Sequence, residues 1–128
     1  MAMSVTYEHQ SNRVIKWVSF TWTSAADGTA TGSTTEKISG KILRLVTNPG
    51  AAAPTDNYDI TVTDDNALDV LQGLGANRHT TSTQEANIIY AATSLNPVVD
   101  SALTLNISNA GDSKNGVVIV YYEGQREG

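Results

Sequence analysis

Five aspartates crowd one stretch of the sequence and form the group that most resembles a metal site: Asp56, Asp59, Asp64, Asp65 and Asp69. Calcium takes about six to eight oxygen ligands, and its binding loops carry a glycine at a sharp bend and a terminal glutamate. The residues that follow Asp64 provide neither. Turns also favour aspartate, because its carboxylate accepts backbone N–H groups. We therefore interpret these aspartates as turn residues, keep calcium as the alternative, and predict no metal site.

No other set of side chains is spaced for catalysis or for cofactor binding. His9 and His79 lie far apart in the chain, and neither has a carboxylate at a spacing that completes a zinc site or a general base. No serine occupies a G-x-S-x-G turn. The glycines of residues 73–75 lack the third glycine and the following helix of a dinucleotide-binding fingerprint. We predict that the protein is not an enzyme and uses no cofactor.

The aromatic residues suggest a different kind of site, a platform on which sugars stack. Aromatic side chains on strands more commonly fill a core, and alternation places most of these inward. The residues concerned are Tyr7, Trp17, Trp22, Tyr58, Tyr90, Tyr121 and Tyr122. Glycan or receptor binding is therefore kept as an alternative function.

The composition indicates one small domain without a nucleic-acid surface. A chain of 128 residues is long enough for one hydrophobic core, so we expect a single domain over residues 1–128. It has no cysteine, which excludes disulfides. The net charge is −5, and the 8 basic residues are scattered, whereas nucleic-acid binding requires clustered Lys and Arg. Without a secretory signal or an apolar run of roughly 20 residues, we expect synthesis in the host cytoplasm and no membrane partner.

Apolar and polar residues alternate at every second position, which predicts an all-β fold. The clearest case is the segment around Tyr58, Ile60 and Val62, which share one face. We expect seven to eight antiparallel strands in a single β-sandwich, jelly-roll or barrel-like. Segments 25–33 and 91–100 are predicted to be connections, and residues 67–71 one helical turn with Asn66 as its N-cap.

Two stretches, 14–18 and 117–122, are apolar on both faces. In the first, either a bulge shifts the register by one residue, or Ile15 and Trp17 face a neighbouring subunit. The second stretch is either a central strand of the sandwich or partly an oligomer contact. We predict that side chains of these stretches form an interface. They are Ile15, Trp17, Val118, Val120 and Tyr122.

Several longer motifs carry a resemblance to a known family. Residues 38–78 contain VTNPG, APTDNYDIT and GLGANR in that order. The C-terminal part contains LTL and SNAG before a valine-rich strand. Over roughly half of the chain, these motifs resemble a family of small bacteriophage virion structural proteins.

The resemblance implies a structural part of a phage particle. We expect a capsid decoration (cement) protein on the outer surface of the capsid, bound to the major capsid protein. A head–tail or tail component is the alternative. We also expect a homo-oligomer, with a trimer favoured over a dimer. Loops 48–56 and 77–84 are the expected contacts with the shell, through residues that include Pro49, Pro54 and Arg78.

Overall fold

The computed structural model describes residues 3–7, 14–89, 93 and 95–126, and this part of the chain is all-β, with nine strands and no helix. The strands are β1 (Met3–Tyr7), β2 (Ile15–Thr23), β3 (Ala30–Ser33), β4 (Ile38–Pro49), β5 (Asp59–Thr63), β6 (Gln84–Asn87), β7 (Val98–Ser101), β8 (Thr104–Ser108) and β9 (Asn115–Arg126). Every strand pairing is antiparallel. No helix of the described residues could cross a membrane.

The strands form two sheets that pack as a β-sandwich, as the sequence predicts. The larger sheet has six strands in the order β1-β2-β9-β4-β6, and β7 pairs with β4 beside β6. The smaller sheet has the order β3-β8-β5. The two longest strands, β4 and β9, are neighbours at the centre of the larger sheet, so they form the framework on which both edges depend.

The core lies between the two sheets and is filled by the inward residues of alternating strands. The larger sheet contributes Phe20 and Trp22, and the smaller sheet contributes Ile60 and Leu105, each at most 1% exposed. The rings of Trp22 and Tyr58 lie 5.8 Å apart between centroids, tilted by 45°, and so join the two sheets directly. Burial of such side chains supplies most of the driving force for folding.

The first half of β2 contains no bulge. β2 pairs with β9 in an unbroken register from Ile15 opposite Glu123 to Thr23 opposite Asn115. The bulge hypothesis for this stretch is therefore wrong, and Ile15 and Trp17 lie on the face opposite to the core. The larger sheet does have an irregularity, but it lies in β4, where the register with β9 shifts between Ile42 and Arg44.

The sequence predicts fewer strands than the structure has. β3 lies in a segment predicted to be a hairpin connection, and β7 in one predicted to be irregular. Each has four residues, too few for alternation to be recognised, and each is a strand because it pairs with β8 or β4. The predicted helical turn at 67–71 is also wrong. The chain there forms non-helical turns, in which Asp64 rather than Asn66 caps the backbone by accepting the N–H groups of Asn66 and Leu68.

Candidate interaction surface

The side of the larger sheet that faces away from the core is the most unusual surface of the molecule. In β2 and β9 the even-numbered residues from Lys16 to Trp22 and from Gly116 to Tyr122 are buried. The odd-numbered residues between them are exposed or partly exposed, yet several are large and apolar. A strand that is wet on one side normally carries polar residues there. The apolar residues on this side therefore need a separate explanation.

Strand register arranges these outward residues in rows across the sheet. We call this surface the outer face, and its rows are Ile15, Glu123, Lys41 and Val98; Trp17, Tyr121 and Arg44; Ser19, Ile119, Val46 and Glu85; and Thr21, Val117 and Asn48. Ile15 is 50% exposed and Val98 is 69% exposed, so both ends of the first row are open. The first row is therefore apolar at its two ends and charged between them, and the other rows add apolar surface through Trp17, Ile119 and Val46.

The structure places the predicted interface residues of the two stretches on opposite sides of the sheet. Ile15 and Trp17 lie on the outer face. Val118, Val120 and Tyr122 are fully buried in the core, and their assignment to an interface is wrong. The sequence shows that the stretch 117–122 is apolar on both faces, and the apolar residues of this stretch do not distinguish its inward from its outward side. The outward residues are Val117, Ile119 and Tyr121.

One residue next to the apolar stretch indicates which side of β9 faces outward. Glu123 ends the apolar run and shares its parity with the outward residues, because every second residue of a strand points to the same side. The same argument fails for β2. Lys16 is only 3% exposed and lies on the inward side, opposite Tyr122 in the register. A charged residue at a strand end therefore indicates the outward side in one strand and misleads in its neighbour.

Charged side chains of opposite sign lie next to each other on the outer face, and Arg44 and Glu85 form an ion pair. Arg44 Nε donates to Glu85 Oε1 at 2.7 Å, and its guanidinium carbon lies 5.4 Å from the centroid of the Tyr121 ring. Lys41 lies opposite Glu123 in the register. At the edge of the sheet Lys37 Nζ lies 3.3 Å from Asp100 Oδ1. A hydrogen bond from Ser39 and the proximity of Lys37 lower the pKa of Asp100.

The two loops predicted to contact a shell lie together at one end of the sandwich. Thr80 Oγ1 donates to the carbonyl of Pro54 at 2.6 Å, and the backbone N–H of Thr80 donates to Asp56 Oδ1 at 3.1 Å. The N–H of Asn57 donates to the carbonyl of Arg78 at 2.9 Å. We call residues 48–57 and 76–84 together the loop end. Pro54 is buried within it, so its predicted role in contacting a partner is wrong, whereas Pro49 and Arg78 are partly exposed.

Further bonds tie the loop end to the last hairpin loop. The N–H of Thr55 donates to the carbonyl of Ala110, and the N–H of Gly50 to the carbonyl of Asn115. Within the loop end itself, Thr83 Oγ1 donates to Asn48 Oδ1 at 3.0 Å. Many backbone groups of the loop end are therefore hydrogen-bonded within the chain. A partner that binds there would not need to order much of the chain.

Four of the five aspartates, Asp56, Asp59, Asp64 and Asp69, accept hydrogen bonds from backbone N–H groups, which confirms their interpretation as turn residues. Asp69 accepts three such bonds: Oδ1 from Val62 and Leu71, and Oδ2 from Gly73. Asp59 Oδ1 accepts the N–H of Asn77 at 2.9 Å. Among the described residues no group of three or more His, Cys, Asp or Glu side chains is placed to hold a metal ion.

The two histidines are the remaining candidates for catalytic residues. His79 is exposed on the loop end, and its Nδ1 accepts the N–H groups of Thr81 and Ser82 at 3.1 Å and 3.0 Å. The imidazole therefore organises its own loop. His9 lies outside the described residues. No pocket is present in the described part of the molecule.

Comparison with known proteins does not assign the chain to a family. No protein-family model and no curated protein matches it. Among solved structures, it matches one described as "Structure of infectious bursal disease virus Gx strain", with 15% sequence identity and a TM-score of 0.28. The match covers 89% of this chain but 33% of that one, so the chain spans about a third of its length. A similarity at this level supports neither a shared fold nor a shared function.

Proposed function

We propose that this chain is a non-enzymatic structural protein of a phage particle, and specifically a capsid decoration protein that binds the assembled major capsid protein and stabilises the shell. The observation that carries the proposal is the outer face. Its apolar side chains Ile15 and Val98 are exposed in the isolated chain, and Trp17 and Ile119 are partly exposed. Apolar surface of this kind marks a site that another macromolecule covers.

The motifs that resemble phage virion proteins support the same proposal. Two of these motifs, within residues 46–61, fall on the end of β4, on the part of the loop end that follows it and on the start of β5. The loop end is held by hydrogen bonds and presents polar backbone and side-chain groups to solvent. We propose that it contacts the shell, because a surface that is ordered before binding loses little entropy when it docks.

Glycan binding is the second candidate, and one observation favours it. Trp17 and Tyr121 lie opposite each other on the outer face, as neighbouring aromatics of a sugar platform would. Another observation weakens it, because the guanidinium of Arg44 already lies over the ring of Tyr121. A sugar would have to displace Arg44, together with its ion pair to Glu85.

Copy number and position on purified virions test the proposal. Quantitative mass spectrometry should find the chain in a fixed, high ratio to the major capsid protein, and cryo-electron microscopy should place it on the outside of the shell. A few copies at one vertex or along the tail would support the head–tail or tail alternative instead. Absence from particles, combined with saturable binding to a glycan, would contradict a structural role and support the second candidate.

A binding experiment with matched variants locates the contact with the shell. Shells that lack the protein are mixed with purified wild-type chain, and the temperature at which the shell opens is measured. Thr81→Glu changes an exposed residue of the loop end, and Leu68→Glu changes an exposed residue outside it. We expect weaker shell binding with the first variant only. Equal binding by both variants would remove the loop end from the contact.

A further inference from the structure

We infer that the outer face is the contact between two copies of this chain, related by a two-fold axis. The inference rests on the proposed function and deepens it: the loop end is the proposed contact with the shell, and a second copy of the chain is the proposed occupant of the outer face. Two observations support a second copy as the occupant: the charge balance of the face and its size.

The charge balance separates this face from the rest of the molecule. Three basic side chains of the face and its edge are matched by three acidic ones. They are Lys37, Lys41 and Arg44 against Glu85, Asp100 and Glu123. These six charges sum to zero, so the whole net charge of −5 lies elsewhere in the chain.

Much of the remaining acidity lies on turns around the smaller sheet, including Asp64, Asp65 and Asp69. Two identical acidic molecules repel each other through such surfaces. They approach at the lowest electrostatic cost through the neutral outer faces, which leaves both sets of acidic turns pointing away from the contact. A basic partner would instead be attracted to the turns.

The outer face is also self-complementary in sign and sufficient in size. Basic and acidic residues alternate across it, with Glu123 on β9, Lys41 and Arg44 on β4, and Glu85 on β6. A two-fold contact requires one patch to match itself, which such alternation allows. The larger sheet is five strands wide from β1 to β6, because β7 also pairs with β4 and adds no further width. With strands about 4.8 Å apart and about seven residues each, its outward side has a footprint of roughly 600 Å². Side-chain relief increases this area toward the roughly 800 Å² per partner of a standard interface.

The outer face is a single patch, which favours a dimer over the trimer expected from the sequence. A patch that binds its own copy closes after one contact, whereas a trimer needs two different patches on each subunit. The outer face is one patch on one sheet. We therefore propose a dimer in which the two larger sheets pack against each other, with Ile119 and its neighbours near the centre.

Sedimentation of the purified chain tests the inference in solution. We expect a species of twice the 13.6 kDa chain mass at micromolar concentration. Ile15→Glu places a carboxylate on the outer face and should weaken dimerisation about tenfold or more, since each dimer contains two altered sites. Leu68→Glu is the matched control, because Leu68 is 64% exposed on a turn outside the face. A wild-type monomer, or a dimer that both variants leave intact, would overturn the inference.

Cross-linking gives a second measurement that does not depend on destabilising the contact. The chain has no cysteine, so single cysteine variants report one position each. Ser19→Cys, at the centre of the outer face opposite Ile119, should form a cross-linked dimer with a short bis-maleimide. Asp112→Cys, on the exposed last hairpin loop, should not. Cross-linking through Asp112→Cys but not Ser19→Cys would place the contact elsewhere. A wild-type monomer that still coats shells would contradict this inference but not the proposed function. A dimer that is absent from particles would contradict only the proposed function.

Discussion

Arg44 lies over the ring of Tyr121 on the outer face, with its guanidinium carbon 5.4 Å from the ring centroid. The two residues are opposite each other in the β4–β9 register, next to the irregularity between Ile42 and Arg44. The extra residue there turns Arg44 to the side that carries Tyr121, where its Nε also donates to Glu85. The irregularity in β4 thus sets a cation over an aromatic ring that would otherwise be more open.

This pair should make a small and measurable contribution to stability. We expect Arg44→Gln to lower the free energy of unfolding by about 0.5–1 kcal/mol, because cation–π contacts at exposed sites are weak. A double-mutant cycle with Tyr121→Leu, in which urea denaturation gives each free energy of unfolding, isolates the interaction energy of the pair. Glu85→Gln is the control, since its exposed ion pair with Arg44 should contribute less. A coupling energy of zero between Arg44 and Tyr121 would show that their contact does not contribute to stability.

Trp22 should be the core residue whose loss costs most. It is fully buried and lies between the two sheets, beside Tyr58. We expect Trp22→Ala to lower the free energy of unfolding by about 3–5 kcal/mol, the cost of a large core cavity. Thr21→Ala, one residue away on the outward side, should change it by less than about 0.5 kcal/mol. Chemical denaturation of the two variants measures the difference, and similar losses would contradict the inward assignment of Trp22.

Alternation in the sequence was enough to predict the fold class and much of the core. The inward faces of β2 and β5, with Phe20, Trp22, Ile60 and Val62, follow from period two alone. In β9 alternation fails, because both parities are apolar. Which parity faces the core is decided by pairing with β2 and β4, strands that are distant in sequence. The apolar residues of β9 do not contain that information, and a charged residue at a strand end, such as Glu123, is an unreliable guide because Lys16 of β2 is buried. The interface residues predicted in β9 are therefore the wrong ones.

The loop end shows the same limit in a different form. The sequence predicts loops 48–56 and 77–84 as two separate contacts with the shell. The bond from Thr80 to Pro54 that joins them spans 26 positions and exists because β5 and the turn after it return the chain to the same end. Burial of Pro54 follows from that closure. It was not visible in a loop of prolines and alanines, which by composition would be expected at the surface.

Gly40 and Gly124 are opposite each other in the β4–β9 register. Both have φ of +145°, and a Cβ on Gly40 would overlap the carbonyl oxygen of Glu123. We expect Gly40→Ala to lower the free energy of unfolding by at least about 2 kcal/mol, from strain and overlap together. Gly73→Ala is the control: its φ is +79°, but a Cβ there meets no atom within 4 Å, so the loss should be about 1 kcal/mol. Equal losses in thermal unfolding would mean that conformation alone matters.

Asp69 should stabilise the turn after β5 without any metal ion. Its carboxylate accepts N–H groups from Val62, Leu71 and Gly73, and Asp69→Asn replaces one acceptor oxygen with a donor. We expect the variant to lose about 1–3 kcal/mol, since backbone donors then lack their partner. Asp65→Asn, an exposed neighbour, should change little. Calcium should not raise the melting temperature of the wild-type chain, and a clear rise that Asp69→Asn abolishes would restore the calcium alternative.

Tyr58 should make the fold sensitive to alkaline pH. Burial raises the pKa of its phenol above the ordinary value of 10.0, because the charged phenolate is disfavoured away from water. Above pH 10 the unfolded chain releases this proton while the folded chain retains it, so stability is complete below that pH and falls as pH rises toward the folded pKa. We expect Tyr58→Phe to flatten the fall in melting temperature over this range. Tyr121→Phe, a partly exposed tyrosine on the outer face, is the control. If Tyr58→Phe and the wild-type chain lose stability equally with pH, the phenol of Tyr58 ionises in the folded state, and the buried position between the two sheets does not exclude its charge.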